Sequence, residues 1–251
     1  MLRNLGSKEN RMQNVVIIGA SSGLGQEVAK LFLEQGCRIG VAARREDRLL
    51  ALKQLAPDRV VTSTIDVTSD DAPHLLRMLI DELGGMDLFF YASGVGKQNR
   101  ELVPNIELNT VNTNGMGFTR MIGEAYRYFA ERGTGHIAAI SSIAGVKGLG
   151  PAPSYSATKA MQNVYLQALE QQARARGLKI HFTDIRPGFV DTDLLKGDFH
   201  YPMMLKPEKV ARQIVKAIKN KRHIKVIDWR YAILTALWRC VPNPIWRSLK
   251  L

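Results

Sequence analysis

The chain has 251 residues, 45% of them hydrophobic, which suits one α/β domain with a sizeable core. Its two distant cysteines, Cys37 and Cys240, form neither a disulfide framework nor a metal-ligand spacing, so the reading is cytoplasmic and without metal. The net charge is +12, and residues 206–251 hold twelve Lys or Arg against Glu208 and Asp228. That excess sits on a terminal helix, a short strand and a tail rather than on a helix interleaved with aromatic residues, which argues against a nucleic-acid partner.

Residues 1–13 read as a polar, basic lead-in with no apolar run of the signal-peptide kind. Nothing approaches the ~20 apolar residues of a membrane span, and the longest uncharged apolar stretch near the end is only Tyr231 to Trp238. The first strand, Asn14–Ile18, carries the β-branched run Val15-Val16-Ile17-Ile18 straight into Gly19, Gly23 and Gly25, with Ser21, Ser22 and Leu24 between them. A helical pattern follows at once, from Gln26 to Gln35, closed by Gly36. Strand, glycine turn and helix N-terminus together aim backbone N–H groups at an anion, as a parallel sheet does with the pyrophosphate of a dinucleotide. The spacing is G-x3-G-x-G rather than the commoner G-x-G-x-x-G, and a glycine-rich turn without a ligand is the competing reading.

Further strands read at Cys37–Ala43, Val60–Ile65, Asp87–Ala92, His136–Ser141, Lys179–Ile185 and His223–Ile227. Most are near-continuous apolar runs, as expected of parallel strands covered on both faces. Helical periodicity lies between them. Ala72–Leu83 sets Leu75, Leu76, Leu79, Ile80 and Leu83 on one face before Gly84-Gly85, and residues 107–130 and 154–176 form two longer helices, the second stopped by Gly177. Alternation of strand and helix with no repeat or linker predicts a single doubly wound α/β domain over 14–251, a mostly parallel seven-stranded sheet with helices on both faces.

Tyr155-Ser-Ala-Thr-Lys159 opens the last long helix and puts a phenol and an ammonium one turn apart on one face. Taking a tyrosine from about 10 to near 7 requires roughly 4 kcal/mol of preferential stabilisation of the phenolate. Ser142 lies at the carboxyl end of a strand, where open α/β sheets place ligands, and 13 residues before Tyr155. Asn112 falls in the stretch 107–130, Asp66-Val67 follows the third strand, and Pro187-Gly188-Phe189-Val190-Asp191-Thr192 follows the sixth.

Over about residues 14 to 220 these features resemble the short-chain dehydrogenase/reductase family. The family's T-G-x3-G-x-G matches Gly19, Gly23 and Gly25, with Ile18 in place of Thr. Its catalytic tetrad falls on Asn112, Ser142, Tyr155 and Lys159, and its Pro-Gly-x3-Thr turn on Pro187, Gly188 and Thr192, with Val190 inside it. Its Asn-Asn-Ala-Gly is replaced by Tyr91-Ala92-Ser93-Gly94, keeping only the glycine, and Ala92 and Gly94 remain expected neighbours of the cofactor.

The resemblance implies a Rossmann fold and hydride exchange between a nicotinamide cofactor and a carbonyl or alcohol. Tyr155 is then the acid/base, Ser142 holds the carbinol oxygen, Lys159 lowers the tyrosine pKa and binds ribose, and Asn112 holds a relay water. An NAD site places a carboxylate about 20 residues beyond the glycine turn. Here Ala43 is followed by Arg44 and Arg45, which favours NADP(H) over NAD(H), although Glu46 or Asp47 is placed to do the acid's work and Ser22 stands where the family often has a second basic residue.

Residues 193–205 fall on the family's substrate lid, where Leu194, Leu195, Phe199, Tyr201, Met203 and Met204 suit an apolar guest or simply pack on the core. The helices 107–130 and 154–176 are the family's dimer faces, which predicts a homodimer or homotetramer. The tail 229–251 mixes Trp229, Ile233, Leu237, Trp238 and Trp246 with Arg230, Arg239, Arg247 and Lys250. That composition suits an anionic membrane surface. Pro242 and Pro244 break any long amphipathic helix, however, so closure of the pocket or packing on a second subunit is preferred. The rival to catalysis is a regulatory protein that binds NADP(H) without turning it over.

Overall fold

Seven strands, all parallel, lie side by side in the computed structural model, which describes residues 14–195 and 201–249. They are β1 (Asn14–Ile18), β2 (Arg38–Ala43), β3 (Val60–Thr64), β4 (Leu88–Tyr91), β5 (Thr134–Ile140), β6 (Lys179–Pro187) and β7 (Ile224–Ile227). Each expected strand is present within two residues of its expected ends, and the sheet is wholly rather than mostly parallel. The order β3-β2-β1-β4-β5-β6-β7 reverses direction between β1 and β4. The carboxyl ends of those two strands therefore open a crevice at the switch point.

Strand alternation feeds two cores. Val15, Ile17, Leu88 and Phe90 pack with Val28 and Phe32 of α1 (Gly23–Glu34), with Leu49 and Leu52 of α2 (Glu46–Leu55), and with the apolar stripe of a later helix. Val16, Ile18, Phe89 and Tyr91 face the other way, onto Leu76, Leu79 and Leu83 of α3 (Ala72–Leu83), which stops at Gly84 with φ +82 as its periodicity predicts. Full burial of such side chains contributes about 1.5–3 kcal/mol each. Both faces being covered is why these strands read as apolar runs rather than alternating ones.

One expected helix is not continuous. The stretch read as 107–130 is α4 (Pro104–Val111), a π-helical turn (Asn112–Gly117) and α5 (Phe118–Arg132). Helix α6 (Pro153–Ala175) agrees with expectation within a residue, and α1 begins three residues before its pattern, inside the glycine turn. Helix α7 (Pro207–Lys219) supplies the stripe Val210, Ile214 and Ile218 to the first core, and α8 (Trp229–Cys240) and α9 (Asn243–Ser248) finish the described chain.

Candidate active site

A cavity of about 730 Å³ opens over the carboxyl ends of the strands. Its inner end is the glycine turn. Gly19 has φ +87, and a Cβ there would lie 2.6 Å from Ser93 N; a Cβ on Gly25 would lie 2.2 Å from Gly19 O. No side chain fits either position, so the turn stays closed against the residues that follow β4, and Gly19 N and Ala20 N are held by Ala42 O at 2.8 and 3.3 Å. Ser21, Ser22, Gly23 and Leu24 line the same end.

Arg45 reaches back over this turn. Its Nη2 donates to Ser22 Oγ at 2.6 Å and Ser21 Oγ at 3.0 Å, and its Nε to Ser21 Oγ at 3.2 Å. A guanidinium from the end of β2 thus covers the position that Ser22 leaves without a cation. Arg44 lines the cavity beside it, whereas Glu46 and Asp47 are exposed on α2 and take no part in the lining. Asp66 and Val67, after β3, form the neighbouring wall. Burial pushes the Asp66 carboxyl up, but hydrogen bonds from Thr68 N at 2.9 Å and Thr68 Oγ1 at 2.8 Å, with the Arg44 charge, hold it below its ordinary value. Ala92 and Gly94, following β4, complete this end.

Ser142, Tyr155 and Lys159 meet midway along the cavity. Ser142 caps a 3₁₀ turn (Ile143–Gly145), its Oγ accepting from Ala144 N at 3.0 Å. Burial raises the phenol of Tyr155 above its ordinary value, with the Ser142 hydroxyl opposing, so the group is a proton donor as it stands. Lys159 is 4% exposed, and burial lowers its ammonium to about 8, with the Asp184 charge opposing. Its Nζ lies 5.7 Å from the Tyr155 ring centroid. One turn apart on a helix places phenol and ammonium on one face, as their spacing predicts.

Asn112 does not join them. It sits at the start of the π turn and does not line the cavity. Asn114 is the asparagine turned inward: it is fully buried, its Oδ1 accepts from Val95 N at 2.9 Å and its Nδ2 donates to Val95 O at 2.7 Å. Residues two apart on a helix point to different sides. The buried Phe118, Met121, Ile122 and Ala125 stand at helical spacing from Asn114, so the periodicity of α5 carried the signal that selects it. Gln162, also missed, is buried between Lys159 and Asn114.

Pro187, Gly188, Val190 and Thr192 line the cavity where β6 ends. A Cβ on Gly188 would lie 2.1 Å from the Tyr231 ring, so glycine there lets α8 close on the site. The outer end is apolar: Phe189, Leu194, Leu195, Tyr201, Met203 and, from α8, Tyr231, Leu234 and Trp238. Tyr231 Oη donates to Pro202 O at 2.9 Å and Met203 O at 3.0 Å, tying that segment to α8. Met204 is exposed and does not line the cavity, and Phe199 lies outside the described residues. No group of three or more metal-ligating side chains is assembled among the described residues.

Comparison with known proteins agrees with this geometry. A family model described as short chain dehydrogenase matches residues 13–201. An uncharacterized oxidoreductase of Myxococcus xanthus is 31% identical over 244 residues, 94% of this chain and 96% of its own length. Another, from Mycobacterium tuberculosis, is 31% identical over 226 residues, 86% of this chain and 88% of its own. A short-chain dehydrogenase from Sphingobium yanoikuyae, solved in complex with NADPH, is 19% identical with a TM-score of 0.80, covering 95% of this chain and 97% of its own. An actinorhodin polyketide ketoreductase variant, solved with NADPH, gives 24% identity and a TM-score of 0.74, covering 86% and 95%. A glycine cradle at the switch point, a Tyr-Lys pair one turn apart with a serine beside it, and a family match across most of the length have one common reading: the chain belongs to the short-chain dehydrogenase family.

Proposed function

We propose that this protein reduces an apolar ketone to the alcohol, or runs the reverse oxidation, with NADP(H) as cofactor. The observation that carries the reading is a single cavity with Gly19, Gly25 and Arg45 at one end, Ser142, Tyr155 and Lys159 in its middle, and an apolar outer end. The cradle at Gly19 and Gly25, which any side chain would fill, and the paired guanidinium groups of Arg44 and Arg45 fit a dinucleotide bearing a 2′-phosphate.

When bound, NADPH supplies the hydride. The protein does the rest. Ser142 Oγ donates to the carbonyl oxygen and stabilises the charge that grows on it. Tyr155, held protonated by burial, gives its proton to that oxygen. The Lys159 ammonium stabilises the phenolate left behind and offers a donor to the cofactor ribose. Phe189, Tyr201, Leu234 and Trp238 keep water from the reacting carbon and set the preference for an apolar guest. The intact trio argues for turnover rather than for a regulatory binder. The direct test uses NADPH carrying deuterium at nicotinamide C4 with ketones of increasing chain length: product alcohol gaining one deuterium supports the proposal, and NADPH binding without transfer to any ketone supports the regulatory rival.

Two partners belong to the same reading. Leu108, Val111, Met116, Met161 and Val164 are exposed on α4, the π turn and α6, an apolar face that suits a second copy of the chain. The second partner is a membrane surface, suggested by α8. A helix apolar all round is normally buried. Here Tyr231, Leu234 and Trp238 face the cavity while Trp229, Ile233 and Leu237 are exposed, with Arg239 and Arg247 nearby in sequence and no acidic residue after Asp228. No described helix is long and apolar enough to cross a membrane.

A further inference from the structure

Lys159 carries an ammonium that is almost wholly withdrawn from water, and no carboxylate touches it among the described residues. Its Nζ donates to Ile140 O at 3.1 Å and to Gln162 Oε1 at 3.0 Å, which leaves one N–H for the cavity that Lys159 lines. The two acceptors differ in kind. Ile140 O is fixed by the sheet, whereas Gln162 Oε1 is a side-chain atom and holds its place only if the rest of the amide is anchored.

That anchor exists. Gln162 Nε2 donates to Asn114 O at 2.8 Å, and Asn114 is clamped at both ends of its own amide to the Val95 backbone. Gln162 and Asn114 are both fully buried, so each bond forms away from competing water. The amide cannot flip: reversing it would face N–H toward the ammonium and a carbonyl toward the Asn114 carbonyl. Glutamine three residues after the lysine puts both side chains on one helix face. Nothing in the core packing calls for a polar residue at that depth, where leucine would bury more apolar area.

We propose that Gln162 is a positioning residue for the reaction, holding the Lys159 ammonium beside Tyr155 through a neutral acceptor that is itself locked by Asn114. The inference rests on the functional reading above, since it concerns that site's lysine. A neutral acceptor keeps the ammonium in place without pairing it off, so its charge stays available to the phenolate and the cofactor ribose. The other groups facing this lysine leave that role open. Asp184 on β6 acts at a distance and is already paired with Arg186 at 2.6 Å and with the Ser141 hydroxyl. Tyr155 lies on the same helix, and Tyr201 acts on Tyr155 from the lid segment.

The experiment compares the parent with Gln162→Leu and Gln162→Glu, with lysine Cε carrying ¹³C and the Lys159 signal assigned by its loss in Lys159→Arg. The midpoint of that signal is followed against pH in the absence of nucleotide and substrate. Removing the acceptor destabilises the ammonium, so Gln162→Leu moves the midpoint down. Placing a carboxylate at the same atom moves it up by about one pH unit or more in Gln162→Glu. The pH dependence of kcat follows the same two directions. Gln162→Leu also loses ten- to a hundredfold in kcat with its melting temperature within a few degrees of the parent. An unchanged midpoint in Gln162→Glu, or the same direction in both variants, overturns the proposal; should Gln162→Leu not fold, the glutamate variant decides alone. The midpoints are read without turnover, so a parent that reduces no ketone overturns the functional reading and leaves this result standing.

Discussion

Replacing Arg45 with alanine separates the two nicotinamide dinucleotides. Arg45, just before α2, reaches back to the glycine turn with three hydrogen bonds to Ser21 and Ser22. A phosphate dianion placed there meets a guanidinium that the two serine hydroxyls already hold over the turn, so little rotamer entropy is lost on binding. One charge-assisted hydrogen bond of this kind contributes about 1.5–3 kcal/mol, which corresponds to a rise of roughly ten- to 150-fold in Kd. NADH lacks the phosphate, and its Kd should change by no more than about threefold. Fluorescence titration of both nucleotides against parent and variant gives the four constants. Arg45 is exposed, so repeating the titrations from 0.05 to 0.5 M salt should narrow the difference more steeply for the parent than for the variant, which keeps Arg44. Equal weakening of NADPH and NADH would refute the assignment of Arg45 to the 2′-phosphate.

Three other outcomes follow from the same structure. Lys159 titrates near 8 in the folded protein against about 10.5 unfolded, so the unfolded chain binds more protons between those values and stability rises with pH across that window. Lys159→Met should lose that slope, worth about 3 kcal/mol in total, in urea melts from pH 7 to 10.5; an identical slope in parent and variant contradicts the burial argument. Sedimentation at micromolar concentration should show a dimer or tetramer, reduced to monomer by Val164→Glu on the exposed face of α6, and a monomeric parent would remove the self-association reading. Vesicles containing anionic lipid should retain the parent at low salt but not a Trp229→Ser, Ile233→Ser, Leu237→Ser variant, and absence of binding to any vesicle would end the membrane reading.

The strands and the cradle were legible because their causes are local. Val15 to Ile18 is apolar throughout since both faces are covered, and Gly19 and Gly25 stand where a Cβ meets backbone within 3 Å. Tyr155 and Lys159 were legible because helical spacing alone brings them together. What the sequence concealed depends on contacts between distant segments. The π turn at Asn112–Gly117 inserts an extra residue into a helical pattern, and the periodicity of 107–130 shows no break there. Asn112 stands at the start of that turn and outside the cavity lining, whereas Asn114 is buried and clamped to Val95. Arg45 covering Ser21 and Ser22, and Tyr231 lying against Gly188, are contacts across 23 or more positions that no pattern within one segment records.

The central claim is that Tyr155 gives the proton to the substrate oxygen in a site that binds NADPH without it. Tyr155→Phe removes one dissociable proton and almost no volume, and the phenol has no role in the cradle at Gly19, Gly25 and Arg45. Measured side by side, the variant should bind NADPH with a Kd within about threefold of the parent and turn over less than about 1% as fast on any ketone the parent reduces. A variant that keeps a tenth or more of the parent's kcat would contradict the account.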